Sequence, residues 1–482
     1  MPRPTAIRLL GLTILSLALG GAIARAAEVP VDEQWFVVRI GGAVVGTATE
    51  RYQGGEEGVV YQAHMNIRFT RLGTPISMMM LTEEMSDAAG GFRRARVESS
   101  LSDFSATAIL DGDSVRYESR VGESTSHRTI AWDPAAATEV VTNERVRAWL
   151  GGAAPETTVV LFDVSEGNFR RARMVRGAAT SADGVRVTAV DEFDDGADTP
   201  ASTTWYDGEG EVTRTLVRQL GIEIEIVRVS QEELAKVEIE PDFDIIRQSM
   251  LRCDNFPTPV SKVDRATLRL EFPGAPPAAS MNGPNQKERS RDERSVVLEL
   301  TRDTVNHWNM SKSELAAFLK PDRFIQSDNP AIRAVADSIR AAAHVDGWPL
   351  ARAIAQWVNL HIVDKSMEHG YASALDVLRS RSGDCTEHSL LTVAILRAAG
   401  IPARPVVGLA FGESEHAFVG HMWTEAYVDE WRTLDALDLR LDPIRLRVHA
   451  PAASESLGER DLMRAYSAIA GVTITALAPE SD

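Results

Sequence analysis

Cysteine is almost missing from this chain: 482 residues carry two, Cys253 and Cys385. Two thiols cannot form a disulfide framework, nor a structural zinc site built on four cysteines. Positive charge is short as well. Against 69 aspartates and glutamates stand 51 lysines and arginines, a formal net charge of −18. That balance lacks the basic surface that nucleic acid requires, and excludes it as a partner. It also gives little attraction to anionic membranes. Long apolar runs are wanting: beyond residue 26 nothing approaches the roughly 20 apolar residues of a bilayer span.

The one apolar run lies at the start. Arg3 and Arg8 precede residues 9–23, and Ala24-Arg25-Ala26 has the small-x-small form of a cleavage site. We expect residues 1–26 to be a secretory signal peptide, too short in its apolar part to anchor the protein. The expected destination is the periplasm or the outside. The mature chain is expected not to be membrane-integral. In an oxidising destination Cys253 and Cys385 could pair, but the pairing would consume the thiol that matters below.

The length suits two or three domains. Residues 27–230 read as strands and turns. Gly41-Gly42, Asp111-Gly112, Asp183-Gly184 and Asp207-Gly208 are hairpin signals between β-rich stretches, and residues 222–226 alternate Ile-Glu-Ile-Glu-Ile. A large antiparallel sheet, curved or partly closed, is expected, and the region divides into two similar halves near residue 150. Met78-Met79-Met80 reads as core filler rather than a soft binding surface. Residues 231–310 read as a linker with a small β segment, in which the mixed charges of 287–294 look like a solvated loop tip. From about residue 311 to 450 the period turns helical and then alternating, an α+β domain. A C-terminal helix around 462–469 and a tail complete the chain over 451–482.

Chemistry concentrates in the α+β domain. Gly383-Asp384-Cys385-Thr386-Glu387-His388-Ser389 places a thiol at the start of a helix carrying Leu390, Leu391, Ile395 and Ala398. A helix N-terminus favours thiolate over thiol, and its N–H groups can hold an oxyanion. A nucleophilic cysteine needs a base, and the base an orienting group. Residues 421–428 read as a strand, Asp429-Glu430 as a turn and 431–435 as the return strand. His421 and Asp435 thereby become cross-strand neighbours, with Asp435 fixing the imidazole tautomer.

Four stretches resemble one family. Gly-Asp-Cys-Thr-Glu-His-Ser at 383–389, Leu-Arg-Ala-Ala-Gly-Ile-Pro-Ala-Arg at 396–404, His-Met-Trp-Thr-Glu at 421–425 and Trp-Arg-Thr-Leu-Asp at 431–435 are similar to the transglutaminase-like superfamily. The resemblance implies a papain-like α+β domain with the cysteine helix packed on the sheet that carries His and Asp. It implies Cys385 as nucleophile, His421 as base and Asp435 as orienter, and no metal or cofactor. Ala436 departs from the family, which usually has proline after this aspartate. The implied activity is that of an exported cysteine protease, hydrolase or acyltransferase acting on peptide or protein amides through an acyl-enzyme, with substrates in the cell envelope among the candidates. The alternative is an inactive binding or assembly protein of the envelope that keeps the fold. His416 competes with His421 as base. His388 reads as a packing or hydrogen-bonding residue, and Trp423 and Glu425 as supports or plain strand residues. A zinc site from Cys385, His388, His416 and His421 would leave Asp435 without a task.

Overall fold

In a computed structural model the described residues run from 32 to 477, apart from 56–57, 89, 101–102, 123, 138, 183, 195–199, 220–221, 241, 278, 303–306, 309, 366–371, 440–444, 452–465, 467–468 and 470. The expected signal peptide lies outside them, as does most of the expected C-terminal helix. The chain forms two compact units, residues 1–244 and 245–482.

The first unit is built on one sheet of 15 strands, antiparallel except at one end, where the short Ala136–Ala137 pairs parallel with Glu156–Asp163. Strand Gly58–Arg71 shows how it is made: Tyr61, Ala63, Met65, Ile67 and Phe69 are buried, while His64, Asn66 and Arg68 between them are exposed. That is the period-two pattern of a sheet with one covered face. The methionine run obeys it too, with Met78 and Met80 buried and Met79 exposed. Gly41 and Gly42 turn the chain between Asp32–Ile40 and Ala43–Gly55, both with positive φ.

The connectivity has a geometric consequence. Successive hairpins carry the sheet from Asp32–Ile40 outward to Ser124–Ala131 at one end. A second meander runs from Ala136–Ala137, at the other end, back to Ile222–Val229, which pairs with Asp32–Ile40 in the middle. A flat sheet of 15 strands would be about 67 Å wide at ~4.8 Å per strand. Yet residues 132–135 join its two end strands, and such a link spans at most about 17 Å. The sheet must therefore curl until its ends approach. Tyr117 Oη donates to Ser165 O at 2.8 Å across the closure, and Phe92, Trp132, Phe162 and Phe169 pack there with ring centroids 5.0–6.0 Å apart. A helix that the strand-rich reading did not anticipate, Glu139–Leu150, packs beside Glu156–Asp163 and adds Val146 to a small core with Leu161 and Met174.

The second unit carries the helices. Asn329 caps Pro330–Ala343, Gly347–His361 follows, and Ser373 caps Ala374–Ser380. These surround Cys385–Ala398, whose residues 387–396 are buried on every side, as expected of a helix enclosed by other helices and a sheet. The sheet beside it holds Ala403–Gly412, Ala417–Val428, Glu430–Leu434, Arg445–His449 and the short Leu251–Arg252. A second sheet of four strands contributes Leu268, Leu270, Val296 and Leu298 to a core shared with Leu409, Phe418 and Leu446.

One expectation is corrected there. Residues 287–291 of the supposed loop tip belong to strand Gln286–Arg291, paired with Ser295–Thr301. It is an edge strand, and edge strands are protected from further pairing by charge. Arg289 pairs with Glu299 on the neighbouring strand. Only Asp292 to Arg294 remain as the turn, with Asp292 accepting from the backbone of Arg294 and Ser295.

Candidate active site

Cys385 is the first residue of its helix and is half-buried; no disulfide joins it to Cys253, which is buried elsewhere in the unit. The helix start is a capping box. The Asp384 carboxylate accepts from Thr386 N at 2.9 Å, and Glu387 Oε2 accepts from Asp384 N at 3.0 Å. The positive end of this helix is therefore already met by a carboxyl, which the sequence argument for thiolate stabilisation leaves out. Glu387 is fully buried and also accepts from Ala372 N at 2.9 Å. Burial, then the neighbouring Asp384 charge, push its carboxyl well above the usual range.

Gly383 makes the box possible. Its φ is +152°, and a Cβ at this position would lie 2.2 Å from Glu387 Cβ. Gly383→Ala is expected to lower stability by about 1–3 kcal/mol from backbone strain, with the clash adding to it. Thermal melting and the alkylation rate of Cys385 should both fall; an unchanged melt would show that the loop has room.

The helix is pinned to the neighbouring strand. Ser389 Oγ donates to Trp423 O at 2.7 Å. Cys385 stands one turn before Ser389, and His421 two residues before Trp423. His388 is 1% exposed, and its Nδ1 lies 2.7 Å from Asp384 O, so it fills the hydrogen-bonding role. Burial lowers its basicity, and the bond to the Asp384 carbonyl works in the opposite direction, followed by the Asp435 charge.

His421 and Asp435 meet directly: Nε2 lies 2.7 Å from Oδ2. Asp435 follows strand Glu430–Leu434, whose Leu434 pairs with Thr424 and so brings the aspartate alongside Trp423 and His421. Its Oδ1 accepts from Leu437 N at 2.9 Å and Asp438 N at 3.2 Å, and Oδ2 also accepts from Arg445. Asn359 holds the following turn by donating to Ala436 O and Leu437 O at 2.7 and 3.1 Å. The turn with alanine at 436 is fixed by these bonds. Burial by itself would raise the Asp435 carboxyl. Its interactions with His421 and Arg445 outweigh burial, so the group ionises well below the ordinary carboxylate range.

Trp423 stacks beside His421, ring centroids 6.1 Å apart, and lies over Gly408, where a Cβ would approach its ring to 2.4 Å. Glu425 is completely buried between two arginines, with Arg404 Nη2 at 2.7 Å and Arg447 Nε at 3.0 Å. It thus joins three strands, since Arg404 lies on Ala403–Gly412 and Arg447 on Arg445–His449. On this face Trp423, Glu425, Asp435, Arg445 and Arg447 line a cleft of about 450 Å³ with Trp348. His416 lies apart, in the turn between Ala403–Gly412 and Ala417–Val428, where its carbonyl accepts from Cys253 N at 2.9 Å. Arg445 escaped the sequence reading because nothing local distinguishes it from other strand arginines. Arg404 and Glu425 both sit in the family-like stretches, but their pairing follows from the strand register and is not written in either stretch.

Residues 333–436 match the model of the transglutaminase-like superfamily, and this part of the chain is a transglutaminase-like domain. A protein-glutamine gamma-glutamyltransferase from Pseudomonas aeruginosa is 33% identical over 121 residues, which are 22% of this chain and 18% of the relative. The aligned part is thus under a fifth of that relative's length. Among solved structures, the periplasmic domain of TgpA from Pseudomonas aeruginosa is 17% identical with a TM-score of 0.27, covering 38% of this chain and 92% of that domain. A beta-barrel-like protein from Brucella abortus is 14% identical with a TM-score of 0.34, covering 42% of this chain and 98% of its own.

Proposed function

We propose that this chain is an exported thiol enzyme that cleaves or transfers amide acyl groups, with Cys385, His421 and Asp435 as its triad. The observation that carries the reading is the 2.7 Å His421–Asp435 bond on the strand to which the Cys385 helix is pinned. The sulfur of Cys385 bonds to the carbonyl carbon of a peptide or protein amide while its proton passes to His421. The tetrahedral adduct collapses, the C–N bond breaks, and His421 returns the proton to the departing amine or ammonia. A thioester remains on Cys385. Water then gives a carboxylic acid, and a primary amine gives a new amide; either restores the thiol. Water is the acceptor unless a site excludes it. The Pseudomonas aeruginosa relative is named for the transfer outcome.

Export is supported by the charged start, apolar run and small-x-small site of residues 1–26. Among the described residues no helix is long and apolar enough to cross a membrane. The test is to trap the thioester. Incubation with an activated ester of a short N-acetylated peptide, followed by acid quench and peptide mapping, should give a mass gain on residue 385. Added primary amine should shorten the adduct's lifetime if transfer occurs. An adduct on every surface nucleophile but not on Cys385 would overturn the reading.

A further inference from the structure

One buried cation at the site has no place in a Cys–His–Asp scheme. Arg445 is 6% exposed, and its guanidinium meets the same Asp435 oxygen that binds His421 Nε2. With Leu437 N and Asp438 N on the other oxygen, the carboxylate is held from four directions. Arg445 reaches it from a separate strand, Arg445–His449, which pairs with Ala403–Gly412.

We propose that Arg445 is a positioning residue of this site: it fixes Asp435 against His421 and, by its permanent charge, sets the pH range in which Cys385 reacts. The proposal rests on the triad reading and adds a fourth member to it. A fixed positive charge in a buried site makes every neighbouring proton easier to lose, and its removal makes each one harder to lose. The other charges around Asp435 are arranged against one another. Glu425, from the histidine strand, is paired with Arg447. Glu430 and Arg432 of the return strand pair together. On the cysteine helix His388 is buried with its Nδ1 on a carbonyl, Asp384 and Glu387 are engaged in the capping box, and the Lys365 charge acts on His388. These pairs leave Arg445 as the arginine bound directly to Asp435.

The experiment follows the rate of iodoacetamide alkylation at residue 385 in the full chain against pH, read by peptide mapping. Arg445→Met should move the midpoint of the profile up by about one pH unit, so that labelling below the midpoint slows by up to roughly tenfold. Arg445→Lys keeps the charge and should leave the midpoint in place while lowering the rate. A purely structural arginine would slow both variants and shift neither. If Arg445→Met does not fold, Arg445→Gln retains an N–H for Oδ2 without charge and carries the same expectation. Unmoved midpoints in folded neutral variants overturn the proposal. If wild-type Cys385 labels no faster than the buried Cys253, the triad reading itself falls.

Discussion

Cys385→Ala is expected to abolish turnover, with a loss on the order of 10⁶-fold in kcat where chemistry limits the rate. No other group in the site can form the thioester. In the proposed scheme His421 and Asp435 serve steps that begin at the sulfur, so the three are not expected to contribute independently. A Cys385→Ala/His421→Ala double variant should therefore be no slower than Cys385→Ala alone. The fold should hardly notice. Cys385 is half-buried at a helix start whose hydrogen bonds are made by Asp384 and Glu387, and neither changes. Melting within about 2 °C of wild type is expected, as for a substitution that touches no core packing or buried network. Rates on a panel of peptide amides and carboxamides, beside calorimetry, check both halves. Equal rates in wild type and variant would remove Cys385 from the chemistry.

Glu425→Leu is the largest stability effect to be expected. The carboxylate is fully buried, and both its oxygens are taken by arginines whose side chains are 13% and 14% exposed. Desolvation of Glu425 is answered by those two cations, and together they hold the carboxyl below its usual range. Removing the one anion leaves two near-buried positive charges facing each other. Breaking a buried pair in this way costs about 3–5 kcal/mol, which is roughly 10 °C of melting temperature for a unit of this size. Arg404 also stacks on the Trp431 ring, 4.3 Å from its centroid, so the strand pairing beneath the site loosens with it. Glu425→Gln keeps the shape and should fall between the two. A melt within about 1 °C of wild type for Glu425→Leu would mean that water reaches these arginines and the network is not dry.

These two residues also show what can be read from sequence. Cys385, His421 and Asp435 are marked by local pattern: a thiol after Gly-Asp at a helix start, a histidine in an alternating run, an aspartate closing the return strand. The hairpins of the first unit are equally local, since most of their turns carry a glycine. Long-range partners are another matter. Nothing near residue 35 announces Val229 as its neighbour, and nothing near Arg445 announces Asp435. Strand Gln286–Arg291 was misread because an edge strand, charged on both faces, lacks the alternation that reveals covered strands. Helix Glu139–Leu150 was missed because it sits among strands and its apolar residues are not sorted onto one helical face.

The pairing of Asp32–Ile40 with Ile222–Val229 means that the first unit is a permuted form of something simpler. Join those two strands by a short linker, open the chain at residues 132–135, and the strands would follow one another across the sheet in unbroken chain order. In this chain the first and last strands of the sheet instead lie side by side in its middle. The sheet's two remote borders are thereby tied to each other by a four-residue tether, and since among the described residues no ladder joins them, covalent connection imposes the curvature.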